Sequence, residues 1–440
     1  MAEAQVAVVG GGLAGLFTAS ELIATGVDDL VVLDDGEAPG GVARTIDRDG
    51  FSLEPAAGTL LLPHPHLSPV LERLGAEVEP AVDAGLRYVF TRGRLVALPS
   101  SPKAAFAPIA PWRAKLRAAA EPFIRKPPPS EDETLDSFMR RRLGDRMGRL
   151  VAWVAASGVF AGDPHRLSAR AAFPAITSLE AEAGSIVRGA LRRLRSRPRG
   201  APRPTSHVPV GGMTALAETA ARRLGTRLQQ GRAVDAVRRS GGRWEVSGGD
   251  DTIEADHVVL ACRPQTAGRL LGGAFEPLLA RAVTAPVVVV GLGGLSADLP
   301  LPPGFGALAG PDAGTATLGV LFESSYAPRR APEGSSLAKV IAGGATRPDV
   351  VGWDDDRLVE HLSAEVAQIL GSEIDPSFVE VVRHEAGIPQ YEPGHLDWLE
   401  RVDEITAEHP GLHLTGWGYR GVGVAHLAAD ATRVARTIGG

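Results

Sequence analysis

Only one cysteine, Cys262, occurs in 440 residues, which excludes an internal disulfide framework and any multi-cysteine metal or iron–sulfur centre. No metal site is expected. No apolar run reaches membrane-spanning length; Ala285-Pro-Val-Val-Val-Val-Gly-Leu is far too short. An excess of basic charge is also missing. The formal net charge is -6 with 22% charged residues, so no global basic field exists and no nucleic-acid partner is expected. The N-terminus enters a strand almost at once and leaves no room for a signal peptide, which points to the cytoplasm. Length is not lacking: 440 residues exceed one ordinary core and suggest two or three domains.

What is present begins at Val6-Ala-Val-Val-Gly10-Gly-Gly12-Leu-Ala-Gly15. A Val-rich run ends in glycines, and Leu13 to Ala24 then reads as a helix. Gly10 permits the turn, Gly12 lets backbone approach a diphosphate, and Gly15 lets helix pack on strand. Free amides at the helix start, Leu13 and Ala14 among them, favour the diphosphate together with the helix dipole. Leu30-Val-Val-Leu33 is a second buried strand, and Asp34 follows at its end. An acid there accepts from both ribose hydroxyls and repels a 2′-phosphate, disfavouring NADP. Next comes Pro39-Gly40-Gly41-Val-Ala-Arg44-Thr45. A second glycine pair so soon after the acid suits FAD lying extended, with Arg44 offsetting diphosphate charge.

Further along, residues 50–58 run from a strand into a loop expected near the flavin ring. Leu67 to Leu74 reads as a short helix, and Arg87–Phe90 with Arg94–Leu98 as a hairpin. Residues 103–126 mix apolar and basic side chains. They suit a helix lying on an anionic bilayer, or equally one packed on the core. Residues 131–195 read as mostly helical, and the Arg-rich Leu191 to Pro204 as a solvated loop. A new unit starts at Val208-Pro-Val-Gly211-Gly212-Met213. It continues with a helix from Thr214 to Leu224 and strands at Val234–Val237, Arg243–Val246 and His257–Leu260. Ala285 to Gly344 suggests an antiparallel sheet. Leu358 to Leu370 reads as a helix, Leu412–Thr415 as a last strand, Gly416 to Gly423 as a glycine-rich turn, and Ala425 to Ile438 as a closing helix.

Several segments are less generic: Glu121-Pro-Phe, Arg140-Arg-Arg-Leu-Gly144, Ser157 to Ser168, Leu179 to Ser185, Leu321-Phe-Glu-Ser-Ser, Arg330-Ala-Pro, and Ile388-Pro-Gln-Tyr391 with Gly394-His395. With Gly416-Trp-Gly-Tyr419-Arg-Gly421-Val422-Gly423, they make the chain resemble the protoporphyrinogen/coproporphyrinogen oxidase family of the FAD-dependent amine oxidase superfamily. The resemblance implies an α/β fold. A Rossmann-like FAD-binding domain would be split over residues 1–60, 205–265 and 396–440. A β-sheet substrate domain would take 61–100 and 266–395, and a helical, membrane-associating lobe 101–204. It implies an oxygen-dependent oxidation of protoporphyrinogen IX or coproporphyrinogen III in haem biosynthesis. Flavin N5 accepts hydride, so no acid–base pair is required of the protein.

Carried over by position, Arg87 pairs a substrate propionate, Leu308 and Leu321 hold a pyrrole ring, and Ile341 lines the pocket. Gly158 faces the macrocycle with its backbone. Val234 meets the adenine, His384 stands beside the flavin, and Ala57 lies on the flavin-facing loop. Thr45, Gly416, Trp417, Gly421, Val422 and Gly423 complete the FAD set. The resemblance further implies O2 as acceptor, a haem-pathway enzyme taking the product, contact with the inner face of the membrane, and a monomer or homodimer. Ala56 replaces a family glycine and adds a methyl near the isoalloxazine edge. Trp417 replaces an Asn, and Ala38 an Arg. Two other readings compete: a flavin oxidase or desaturase of an amine or natural-product precursor, and a catalytically lapsed flavin-binding homologue.

Overall fold

The computed structural model describes residues 2–99, 107–124, 131–198, 200 and 202–440. Its first sheet grows from the strand Ala2–Val9, whose Val6, Ala7 and Val8 are fully buried. Burial on both faces suits a central parallel strand. Leu30–Leu33 pairs with it in parallel on one side and Asp251–Leu260 on the other. Leu228–Gln229 extends the Leu30–Leu33 edge. The far side of Asp251–Leu260 is shared between antiparallel Arg243–Gly248 and parallel Leu412–Leu414. The helices Leu13–Ala24, Gly212–Leu224 and Val424–Gly439 pack on this sheet through a core holding Leu16, Phe17, Leu216, Ala220, Leu427 and Ala431.

A second sheet also has seven strands, in the order Phe378–Gln390, Val283–Leu295, Ser335–Gly343, Thr317–Leu321, Gly306–Ala309, Leu86–Thr91, Arg94–Pro99. Its strands between Ala285 and Gly344 pair antiparallel, as expected. Gly306–Ala309 pairs in parallel with Leu86–Thr91, because the predicted hairpin joins the sheet from a distant part of the chain. The helix Asp355–Leu370 covers one face, packing Leu358, Leu362 and Val366 on Val288, Val290 and Val340.

Helices Trp112–Ala119, Leu135–Leu143, Asp145–Phe160, Pro174–Ala183 and Ile186–Ser196 form a lobe beside this sheet. One buried network organises it. Glu121 accepts from Arg142 Nε at 2.7 Å, from Ser185 Oγ at 2.5 Å, and from the amides of Ile186 and Val187 at 3.0 and 3.1 Å. Arg141 bridges Glu133 and Glu180. Three of the less generic sequence segments thus meet at one place.

The Arg-rich stretch from Leu191 departs from the expected loop: it is helical as far as Ser196. Arginine is a good helix former, and Gly189 lets this helix lie on Leu179, whose carbonyl oxygen would stand 2.4 Å from a Cβ there. The strand expected from Val234 starts at Ala236. Within the amphipathic stretch 103–126, only Trp112–Ala119 and the turn Glu121–Phe123 are regular; residues 103–106 and 125–126 lie outside the described residues. No helix among the described residues is long and apolar enough to cross a membrane.

Candidate active site

The glycine turn at the end of the first strand is shaped by close contacts. Gly10 has φ +112, and a Cβ on it would lie 2.6 Å from Ala261 O. A Cβ on Gly15 would lie 1.8 Å from Gly10 O, so helix and strand touch there. Gly12 differs. Its nearest neighbour to such a Cβ is Gly40 O at 3.8 Å, and Gly12 and Gly40 form an isolated parallel bridge. The two expected glycine loops therefore face each other across open backbone. Helix Leu13–Ala24 has no side-chain cap, leaving its first amides, including those of Leu13 and Ala14, available.

Asp34 is 9% exposed and accepts from the Gly11 and Gly36 amides, with oxygen lone pairs remaining for ribose hydroxyls. Val234 and Leu33 line a shallow depression next to it. A Cβ on Gly41 would lie 3.4 Å from Gly12 Cα, and Arg44 is exposed. Thr45 donates its amide to Thr214 Oγ1 at 2.7 Å and its hydroxyl to Glu54 at 3.0 Å.

The C-terminal turn reaches the same place. Gly416 and Gly421 have φ +129 and +134, around a short helix Trp417–Arg420. Tyr391 holds this turn: its hydroxyl donates to Trp417 O at 2.5 Å and accepts from the Gly421 amide at 2.7 Å. Burial pushes that hydroxyl's pKa up, so it stays protonated. Gly423 precedes helix Val424–Gly439, which also lacks a side-chain cap, and Val422 packs on the lobe core. Trp417 Nε1 is buried with no acceptor among the described residues. Two uncapped helix starts, an open glycine pair and an orphaned indole donor fit a dinucleotide whose diphosphate and ring need donors.

The expected substrate residues share one sheet face. Gly306 pairs with Arg87 and with Leu321, and Leu321 pairs with Lys339. Leu308 pairs with Gly319, and Gly319 with Ile341. Paired and alternate residues point to the same side. Arg87, Leu308, Leu321 and Ile341 therefore lie opposite the face covered by Asp355–Leu370. Gly158, from helix Asp145–Phe160, closes over Leu308. Arg87 is exposed, its guanidinium 5.2 Å from the Phe305 ring centroid.

His384 joins this face through its pairing with Val287. Its Nε2 lies 3.0 Å from Pro55 O; a carbonyl only accepts, so Nε2 carries the proton. Burial, with Arg263, Arg44 and Lys339 nearby, lowers its pKa and keeps the ring neutral. Ala57 and Trp417 both pack on the first core. Ala56 does not have a positive φ: among the described non-glycines only Asp49, Asp83, Arg92 and Ala161 do. The methyl replacing glycine therefore strains no backbone.

Sequence reasoning missed Lys339, Glu54 and Tyr391 as site-forming residues. Lys339 had a legible signal, a lone charge inside the apolar run Ser-Leu-Ala-Lys-Val-Ile-Ala. Glu54 also accepts from the remote Met213 amide, and Tyr391 meets Trp417 and Gly421; neither role had a signal in the sequence. Ser157–Ser168 and Ile388–Tyr391, the most distinctive segments, touch each other: Gln390 Nε2 donates to Phe160 O at 2.8 Å.

The model of the flavin containing amine oxidoreductase family matches residues 13–438. A chloroplastic protoporphyrinogen oxidase from Oryza sativa subsp. japonica is 29% identical over 486 residues, covering 99% of this chain and 88% of that protein. A coproporphyrinogen III oxidase from Bacillus subtilis (strain 168) is 25% identical, covering 96% and 94%. A crystal structure of a protein from Exiguobacterium sp. 255-15 shares the fold, with a TM-score of 0.84 at 24% identity over 100% and 98% of the two chains. The chain belongs to the flavin containing amine oxidoreductase family, and is an oxidoreductase whose cofactor is FAD.

Proposed function

We propose that the protein oxidises a porphyrinogen, protoporphyrinogen IX or coproporphyrinogen III, to the porphyrin in haem biosynthesis, with O2 as terminal acceptor. One observation carries this reading: Leu308, Leu321 and Ile341 share one aliphatic sheet face with Arg87, and the bare backbone of Gly158 meets that face at Leu308. A disc-shaped apolar macrocycle with carboxylates at its rim suits such a face. Residues 1–60, 205–265 and 396–440 are proposed to hold FAD, 61–100 and 266–395 the substrate, and 101–204 a lobe.

FAD, when bound, supplies the hydride acceptor that O2 then restores, giving H2O2. The chain contributes position. The uncapped starts of helices Leu13–Ala24 and Val424–Gly439 meet diphosphate charge, and Asp34 takes ribose hydroxyls. Arg87 offers a planar fork to a propionate. Neutral His384 would stand beside the ring, held by Pro55 O.

The lobe supports contact with an anionic membrane surface. Trp112, Leu116, Phe123, Leu191 and Leu194 are 65, 59, 80, 45 and 56% exposed among arginines, and helix Trp112–Ala119 buries no residue. A haem-pathway enzyme is the proposed recipient of product.

The test is to supply the FAD-loaded protein with each porphyrinogen and follow porphyrin fluorescence and peroxide. Arg87→Ala should raise KM roughly tenfold or more, as loss of a charged hydrogen bond costs about 1.5–3 kcal/mol, while FAD content holds. Turnover of an amine but of neither porphyrinogen would replace this reading, and no flavin reduction by any substrate would favour a lapsed homologue.

A further inference from the structure

The loop Glu54-Pro-Ala-Ala-Gly58 crosses from the first core to the second sheet. Four of its five carbonyls accept from side chains of the second-sheet unit. Lys339 Nζ donates to Glu54 O at 2.8 Å and to Ala56 O at 3.3 Å. His384 Nε2 donates to Pro55 O at 3.0 Å, and Arg330 Nη2 to Gly58 O at 2.7 Å. The chain has four lysines in all; three fall within residues 103–126, and the fourth, Lys339, is 2% exposed.

Burying an ammonium is costly unless it is paired and fully hydrogen-bonded. Lys339 is paired with Glu323, whose Oε1 stands 2.9 Å from Nζ, and donates to the two carbonyls. Gly291 and Leu321 flank it in the sheet. A Cβ on Gly291 would come 2.8 Å from Leu53, so the strand leading to the loop sits directly on this face.

A trans peptide points its N–H opposite its C=O. With the carbonyls of Pro55 and Ala56 turned to the sheet, the amides of Ala56 and Ala57 turn away from it, towards the first core, on which Ala57 packs. Among the described residues neither amide has an acceptor. We infer that Lys339, Arg330 and His384 act as a carbonyl clamp that holds the Ala56 and Ala57 amides towards the flavin ring, with Lys339 as the positioning residue that helps set the flavin's reduction potential. This rests on the proposed placement of the ring against residues 54–58. Amide donors aimed at the ring, and a buried cation behind them, stabilise the electron-rich reduced state.

The test compares FAD-loaded parent, Lys339→Met, the charge-balanced Lys339→Met/Glu323→Gln pair, and His384→Phe. The midpoint potential of bound FAD and the amide exchange of residues 54–59 are measured. The expected result is a lower potential in Lys339→Met that persists in the double variant, with exchange at 54–59 about tenfold faster in both, the scale of a lost hydrogen bond. His384→Phe, which leaves no buried charge unpaired, should speed the same exchange even if the lysine variants do not fold. Parental potential in Lys339→Met, or its return in the double variant, overturns the clamp by reducing Lys339 to a counter-ion for Glu323. Parental exchange in His384→Phe also overturns it. A parent chain that takes up no FAD would sink the placement of the ring as well; a parent that binds FAD separates the two failures.

Discussion

Gly158 stands against Leu308, so close that a Cβ on the glycine would lie 3.0 Å from Leu308 Cδ1. A helix of the lobe and a strand of the second sheet touch at that point. In Gly158→Ala the helix gains up to about 1 kcal/mol of propensity, while Leu308 must give way by a few tenths of an ångström. Thermal stability should change little, and KM for porphyrinogen should rise several-fold with FAD content unaltered. Steady-state kinetics beside a melting curve checks this; unchanged kinetics would remove position 158 from the substrate wall.

Gly12 and Gly15 should part company on substitution. Gly15→Ala forces a methyl into Gly10 O and should cost about 1–3 kcal/mol or more even without cofactor. Gly12→Ala meets open space and should leave the FAD-free protein as stable as the parent, yet weaken FAD binding by an order of magnitude or more. Urea titrations with and without FAD distinguish the two variants.

The ion pair between Arg142 and Glu121 is 1% and 0% exposed. Removing one partner strands the other's charge, at roughly 3–5 kcal/mol. Arg142→Met should therefore lower the melting temperature and loosen the lobe, and Arg142→Met/Glu121→Gln should recover part of the loss. Proteolysis within residues 107–198 reports it directly.

His257 Nδ1 and His413 Nε2 lie 3.2 Å apart on neighbouring strands of the first sheet. Burial first, then His257 and Arg433, lowers the His413 pKa to about 4, and burial lowers that of His257. The unfolded chain, with ordinary imidazoles near 6.5, takes up protons first as the solution is acidified. Their stabilisation is therefore complete above about pH 6.5 and declines as pH falls towards 4, by about 1.4 kcal/mol per unit of depression. His413→Gln should flatten that slope in denaturant titrations at pH 7.5, 6 and 5; an equal slope would clear the pair.

Much of the chain's plan was legible because it is local. A Val-rich run followed by glycines and an acid can be read from neighbouring residues, and the structure has Ala2–Val9, Leu13–Ala24 and Leu30–Leu33 where they were expected. Where several conformations suited one composition, reading failed. Leu191–Ser196 became helix because Leu179 offers a place for Gly189, and the strand expected from Val234 starts only at Ala236.

From order and composition alone came the glycine turns and the acid expected to hold FAD, and the family resemblance. Tertiary structure alone decided that Arg87, Leu308, Leu321 and Ile341 share one face, that Tyr391 fastens the terminal turn, and that a solitary buried lysine reaches two carbonyls some 280 positions away. The reason is physical. A backbone turn is fixed by the dihedral freedom of the residues that form it, whereas a buried charge is tolerated only where partners from remote strands converge on it.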